Sequence, residues 1–232
     1  MPDPALDRPM VDPVARLSYA GVPFLPGEVD GAPLPLLHRW YTEAVADERI
    51  YEPGAMVVAT VDDAGLPDAR TVLLKSLDAD GLTFFTNLGS AKAQQLRGTP
   101  HAAAVLLWHP MYRQVRFRGP VSEVTSEESA HYWATRPRDS QLASRASHQS
   151  DPVASRAELE AMVSAEDDRW PDTGSPDDVP LPPWWGGYRL HPRSIELWVG
   201  QRSRLHDRVL FERVGEGGLD DPSSWRPRRL QP

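Results

Sequence analysis

The sequence predicts a mostly-β fold with flanking helices, a barrel or a sandwich, and three observations lead there. Between residues 55 and 124, five short β-rich runs are separated by Gly, Asp or Pro turns. Four more strand candidates follow residue 187. Helical signals are few and short by comparison, and closely spaced short strands are the mark of barrels and sandwiches.

Residues 1–33 carry Pro2, Pro4, Pro9, Pro13, Pro23, Pro26 and Pro33 with little apolar periodicity, so they read as a mobile Pro-rich arm. A helix from Pro35 to about Ala46 follows from the stripe Leu36, Leu37, Trp40 and Val45, with Pro35 near its start. The strand runs are then 55–61, 71–75, 82–86, 102–108 and 115–124. After the third run, Gly89 turns the chain and Ser90 caps a short helix to Leu96, with Gly98 beyond it. Thr125 and Glu128 have the spacing of a capping box, opening a helix to about Thr135 that Pro137 stops. Another helix runs from Arg156 to about Val163, with Ser155 capping and Glu158 answering. Residues 164–183 are acidic and Pro-rich and read as a loop. The last strands are 187–190, 195–198, 205–211 and 225–230. Residues 184–232 are too few to bury a good core alone, so they complete the same barrel, giving one domain over 34–232.

The bulk properties narrow the function. Of 232 residues, 33 are acidic and 25 basic, and the net charge of −8 argues against nucleic acid or an anionic membrane as partner. Any phosphate site must be local. The absence of cysteine excludes disulfides, thiolate metal sites and cysteine nucleophiles, and is compatible with the cytoplasm. The opening MPDPALDRPMVDP lacks the apolar run of a signal peptide, and no window approaches a membrane span. There is no G-x-G-x-x-G turn, no phosphate loop of the Walker type, no H-E-x-x-H helix and no G-x-S-x-G elbow. The seven histidines show no metal-ligand spacing, so no metal is expected.

Four constellations remain. Arg204, His206 and Arg208 alternate, which on a strand puts them on one face roughly 7 Å apart. Two guanidiniums around an imidazole repel unless an anion sits among them, so the row reads either as an anion clamp or as a solvated edge strand. In Thr86-Asn-Leu-Gly-Ser-Ala-Lys92 a strand gives way to a helix whose N-terminus can receive a phosphate, helped by Ser90 and Lys92; an ordinary capped helix has the same pattern. Arg70 and Lys75, five apart, fall on opposite faces of a strand, and only a bulge or a pocket wrapping around it would let them share a ligand. Tyr132, Arg136 and Ser140 are spaced four and four, crowding polar donors with Arg138 and Gln141 into one turn that suits a phosphate or solvent equally.

Taken in order, Arg70-Thr-Val-Leu-Leu-Lys75, Phe84 through Lys92, Arg113-Gln-Val-Arg116, Arg136-Pro-Arg-Asp-Ser-Gln141, Gln149-Ser150, Trp185-Gly-Gly-Tyr188 and Trp198 through Arg208 resemble pyridoxamine 5′-phosphate oxidases, over about residues 36 to 232. The resemblance implies an FMN-binding split β-barrel, a homodimer with the flavin at the subunit interface. It implies oxidation of pyridoxamine or pyridoxine 5′-phosphate to pyridoxal 5′-phosphate, a hydride passing from C4′ to FMN and the electrons then to O2. Carried over by position, Arg70, Thr71, Val72, Leu73, Leu74, Lys75, Phe85, Thr86, Lys92, Gln114, Gln149, Ser150, Trp198 and Arg208 should line the FMN site. Lys75, Tyr132, Arg136 and Ser140 should hold the substrate phosphate, and Arg204 and His206 should face the pyridine ring as catalytic residues. Arg16 and Tyr19 resemble arm residues that close over substrate.

Several positions depart from the family pattern. Ala91 stands where an arginine often contacts the FMN phosphate, Phe85 replaces a frequent tyrosine, and Val199 a frequent glutamine. Leu142-Ala143-Ser144-Arg145 replaces an aliphatic-Gly-Ala-Trp sequence. Two other readings stay open: a flavin oxidase resembling those of phenazine biosynthesis, acting on a reduced tricycle, and a non-catalytic flavin or pyridoxal-phosphate binder.

Overall fold

In the computed structural model, which describes residues 18–25 and 27–232, ten strands form one antiparallel sheet that curls around its own core. The elements in order are α1 (Pro33–Ala46), β1 (Ala55–Val61), β2 (Pro67–Leu73), β3 (Ser76–Asp78), β4 (Gly81–Asn87), α2 (Ala91–Gly98), β5 (His101–Trp108), β6 (Arg113–Glu123), α3 (Ser126–Ala134), α4 (Arg138–Ala146), α5 (Arg156–Arg169), β7 (Trp185–Leu190), β8 (Ser194–Val199), β9 (Asp207–Arg213) and β10 (Trp225–Leu230). One path runs β10-β9-β8-β6-β5-β1-β2, while β7 joins β6 to the β4–β3 pair. The long strand β6 therefore belongs to both halves. Its first part, 113–118, pairs with β8, and its last part, 121–123, pairs with β7. Between them lie Gly119 and Pro120. A Cβ at Gly119 would strike the His191 carbonyl, and Pro120 has no N–H to offer a ladder.

Alternation along the strands builds the core. Met56, Val58, Ala104, Leu106, Val115, Phe117, Ile195, Leu197, Val209 and Phe211 point inward, against Leu37, Trp40 and Ala44 of α1. The opposite face keeps Val57, Leu73 and Leu107 at 42%, 38% and 56% exposure. In α1 the buried residue after Trp40 is Ala44, one turn on, while Val45 is exposed, so the expected stripe shifts by one position. The helix starts at Pro33, two residues early, with proline in its first turn where no N–H is needed.

Other boundaries move for identifiable reasons. Strand β2 is 67–73 rather than 71–75, because the turn at Asp62–Gly65, with Gly65 at φ 81 and the Asp62 carboxylate accepting the Ala64 and Leu66 N–H groups, fixes its register on β1. Gly98 ends α2 from inside rather than lying beyond it. Thr125 and Glu128 form the capping box as expected. Helix α4, read as a turn from sequence, follows at once, because Pro137 ends one helix and occupies the N-cap of the next. Helix α5 runs to Arg169, so the acidic loop begins six residues later than 164. The expected strand from Leu205 begins at Asp207, after a turn in which Ser203 and Arg204 adopt φ 56 and 61.

Several described residues of the segment expected as a mobile arm pack on the barrel. Gly21 donates its N–H to the Gly200 carbonyl at 2.9 Å, Phe24 stacks on Trp40 with centroids 5.5 Å apart, and Val29 is buried. Arg16 lies outside the described residues. Among those described, no helix is long and apolar enough to cross a membrane.

The packing of Phe24 gives a test. Phe24→Ala should cost about 3 kcal/mol in urea unfolding, as for a buried aromatic; a loss below about 0.5 kcal/mol would mean that the segment does not dock in solution.

Candidate active site

A cleft of about 840 Å³ opens between the end of β2, the strand β4, the start of α2, and α3–α4, with Leu159 and Val163 of α5 along one wall. Its polar lining is cationic. At one end, Lys92 is only 8% exposed, and its Nζ donates to Gln149 Oε1 at 2.6 Å, Thr86 Oγ1 at 3.1 Å and Ser90 Oγ at 3.2 Å. All three acceptors are neutral. Burial first, and then the charge of Arg70, bring the Lys92 pKa down to about 8. Ser90, expected to cap α2, spends its hydroxyl on Lys92 instead. Ser150, held at φ 82, accepts the Ala91 N–H at 3.1 Å.

Arg70 and Lys75 both reach this cleft, which settles how residues five apart can do so. The strand ends at Leu73, Leu74 turns into the core, and the Lys75 N–H crosses to the Thr83 carbonyl at 2.8 Å. Leu74, expected to line the flavin site, therefore presents no side chain there. Arg70 is largely committed to Thr60 Oγ1 at 2.6 Å, Asp68 at 2.5 Å and Gln95 at 3.0 Å.

At the other end, Arg136 lies over the rings of Trp185 and Trp133, at 4.8 and 5.1 Å. Its Nη2 donates to the Ser140 carbonyl at 3.0 Å and Ser144 Oγ at 2.9 Å. Its Nη1 is buried without a partner. Burial lowers the Arg136 pKa without discharging it. Tyr132 stacks on Phe85 at 4.3 Å, and Lys75 Nζ sits 5.7 Å above the Tyr132 ring. Tyr132, Arg136, Ser140 and Lys75 thus converge as expected.

The remaining expected residues lie elsewhere. Gln114, Trp198 and Arg208 are cross-strand neighbours on β6, β8 and β9. Side chains of directly opposed residues share a face, so these three form one row on the sheet's outer side. His206 packs 4.7 Å from Trp198, and Tyr19 lies 6.0 Å from Trp198 and 5.8 Å from His206. The three-residue row Arg204, His206, Arg208 does not lie on one strand face, because the left-handed turn at Ser203 and Arg204 intervenes. His206 Nδ1 accepts the Gln201 N–H at 3.1 Å. Burial, then Arg204 and Arg208, lower its pKa, so at neutral pH the ring is uncharged with its proton on Nε2. Five strand steps separate β2 from β9, about 24 Å along the sheet. Arg208 does not line the cleft that holds Lys75.

Sequence reasoning missed two contributors. Ser144 repeats Ser140 one helical turn on, a spacing that would have revealed it had α4 been recognised. Glu196, with a side chain 5% exposed, accepts from Arg208 at 2.8 Å and pairs with Arg116; its i, i+2 relation to Trp198 was the available signal.

Among the described residues, a buried lysine without a counter-ion and a half-buried guanidinium with one unpartnered N–H are donor sets suited to anions, and the stacked Phe85, Tyr132 and Trp185 rings line the same cleft. These residues fit FMN and a second phosphorylated ring.

Comparison with known proteins agrees. Residues 42–167 match the family model described as pyridoxamine 5′-phosphate oxidase, and residues 185–232 match the pyridoxine 5′-phosphate oxidase C-terminal dimerisation region. A pyridoxine/pyridoxamine 5′-phosphate oxidase of Mycobacterium sp. (strain JLS) is 49% identical over 197 residues, 85% of this chain and 87% of that protein. The protein of that name from Kineococcus radiotolerans is 43% identical, covering 96% of this chain and 100% of its own. Among solved structures, PhzG from Burkholderia lata 383, in complex with tetrahydrophenazine-1-carboxylic acid, is similar with a TM-score of 0.80 at 30% identity, covering 92% of this chain and 100% of its own. An FMN-binding protein of Nostoc punctiforme shares the fold, with a TM-score of 0.67 at 19% identity, covering 87% of this chain and 98% of its own.

Removing Glu196 leaves two guanidiniums facing each other. Because Arg116 and Arg208 are partly solvated, Glu196→Ala should cost about 2 kcal/mol in urea unfolding. Unchanged stability would show that the carboxylate is screened by water.

Proposed function

We infer the function from one premise: the chain belongs to the pyridoxamine 5′-phosphate oxidase family. It is an FMN-dependent oxidoreductase that converts pyridoxamine 5′-phosphate or pyridoxine 5′-phosphate to pyridoxal 5′-phosphate. The observation that carries this reading is the pair of anion-receptive ends in one cleft, Lys92 at one and Arg136 with Tyr132 and Ser140 at the other, with aromatic faces between them. Each end takes one phosphate, the flavin's at Lys92 and the substrate's at Arg136. Bound FMN supplies the two-electron acceptor that oxidises C4′ and passes the electrons to O2.

The chain's own residues bind, orient and enclose. Thr86, Gln149 and Lys92 form a hydrogen-bonded group that a phosphate joins without rearranging charge. Lys75 stands beside Tyr132 between the two ends and can serve both rings. Gln114, Trp198 and Arg208 complete the flavin site of a second copy, because they form one row on the outer face and none of them lines the chain's own cleft. The molecule is a homodimer, in keeping with the dimerisation region over 185–232, and the flavin sits at its interface. In that assembly Arg204 and the Nε2–H of His206 face the partner's substrate ring as donors, and Tyr19, packed on His206, helps to cover it.

The phenazine-type reading is less well supported. The relatives at 43% and 49% identity carry the vitamer name, while the phenazine enzyme stands at 30%. Its ligand is a tricyclic carboxylic acid, whereas this cleft has separate cationic sites at each end.

Three measurements check the assignment. With FMN loaded and air excluded, pyridoxamine 5′-phosphate should bleach the flavin band, and air should restore it with release of the aldehyde; an inert flavin would overturn the reading. Arg208→Ala should weaken FMN binding, whereas Arg204→Ala should impair oxidation with FMN retained; equal loss of flavin in both would undo the division of roles. Phosphate binds the charged form of Lys92, whose pKa in the free chain is about 8. FMN affinity should therefore hold from pH 6.5 to 7.5 and fall as pH rises through about 8, read by quenching of flavin fluorescence. A flat profile to pH 9 would show that Lys92 does not meet the phosphate.

A further inference from the structure

We propose that Ser144 is an additional residue of the substrate-phosphate site, binding the phosphate with its hydroxyl while holding Arg136 in place. The inference rests on the assignment of the Arg136 end to the substrate phosphate, and goes beyond it by naming a residue at a position where the resembling family usually carries a residue without a hydroxyl.

Ser140 and Ser144 are one turn apart on α4, so their side chains rise from the same face. Both line the cleft. The Arg136 guanidinium bridges them, with Nη2 donating to the Ser140 carbonyl at 3.0 Å and to Ser144 Oγ at 2.9 Å. Two consequences follow from hydrogen-bond inventory. Nη2 has only two protons and both are spent, which leaves Nη1, buried and without a partner, as the donor from that edge of the guanidinium to an incoming anion. Ser144 Oγ accepts from a cation, so its own proton is directed away from Arg136 and makes no hydrogen bond to another group of the chain among the described residues. A hydroxyl polarised in this way is a stronger donor than an isolated serine.

Two tryptophans set edge to face at 72° hold the guanidinium between them, its centre 4.8 Å from Trp185 and 5.1 Å from Trp133, and Ser144 adds a hydrogen bond that restricts its rotation. An oxyanion oxygen that meets Nη1 and the Ser144 hydroxyl together is held at two points, one of them on a cation. The following residue supports the same end of the cleft. Arg145 pairs with Glu166 of α5 at 2.8 Å and lies 4.9 Å over Trp170, so the turn that carries Ser144 is fastened to the helix forming the cleft wall.

The test is steady-state oxidation of pyridoxamine 5′-phosphate by FMN-loaded wild type, Ser144→Ala and Ser144→Thr, with inorganic phosphate as competing inhibitor. Losing one hydrogen bond to a charged group should raise KM about tenfold in Ser144→Ala and raise the phosphate inhibition constant in parallel. Turnover at saturation, FMN affinity and melting temperature should be retained, and Ser144→Thr, which keeps the hydroxyl, should restore most of the affinity. A purely structural role would lower the melting temperature without moving the phosphate inhibition constant. If wild type oxidises the substrate and Ser144→Ala leaves KM and phosphate inhibition unchanged, the proposal is wrong. If wild type leaves the substrate untouched, the functional reading itself fails.

Discussion

Any side chain at residue 119 would collide with the carbonyl of His191, and the architecture depends on the close approach that glycine permits there. It lets one strand serve two partners. Upstream of Gly119, β6 pairs with β8 and carries Gln114 on the outer face; downstream it pairs with β7, which pairs in turn with β4, the strand that bears Phe85 and Thr86. Pro120 marks the handover, its missing N–H falling where no ladder bond is required. The cleft and the outer row are thus two consequences of a single split in a single sheet.

That split explains why the site residues divide as they do. The cationic ends of the cleft belong to elements on the β4 side, whereas Trp198 and Arg208 follow the β8–β9 side outward. The outer face that carries them also exposes Val57, Leu73 and Leu107, apolar area suited to burial against a second copy. In the proposed assembly, dimerisation and completion of the active site are one event. The same face explains Glu196, whose buried carboxylate lets the partly exposed Arg116 and Arg208 lie close together without repelling each other.

Charge in this protein is local. A chain of net charge −8 nevertheless keeps a buried ammonium and a half-buried guanidinium in a cleft whose lining holds no carboxylate. Neutral acceptors surround both, so each cation keeps its attraction for an incoming anion, whereas a resident carboxylate would have to be displaced first. The departures from the family pattern have structural counterparts. At Ala91 the backbone N–H is taken by Ser150, while at residues 144–145 the hydroxyl meets Arg136 and the guanidinium lies over Trp170 and Trp184.

Alternation and turn chemistry made most strands legible in the sequence, because residues such as Met56, Val58, Phe117 and Ile195 obey a two-residue period that tertiary packing then uses unchanged. The capping box at Thr125 was legible for a similar reason: its signal is local and its partners lie three residues apart. Helix α4 was not, since Arg138-Asp-Ser-Gln shows no apolar stripe and its stability comes from burying Gln141 and Leu142 against distant residues. The proline that seemed only to end a helix also begins one. Nor could alternation foresee that Arg204 lies in a left-handed turn, that Leu74 faces the core, or that Gly21, Phe24 and Val29 pack on the barrel, since each depends on contacts made by remote segments. The sequence by itself determined which chemical groups are available and in what order. Only the tertiary structure decided which of them meet, because sheet register and strand pairing set neighbours that no linear pattern contains, gathering Lys92, Lys75 and Arg136 into one cleft and leaving Arg208 outside it.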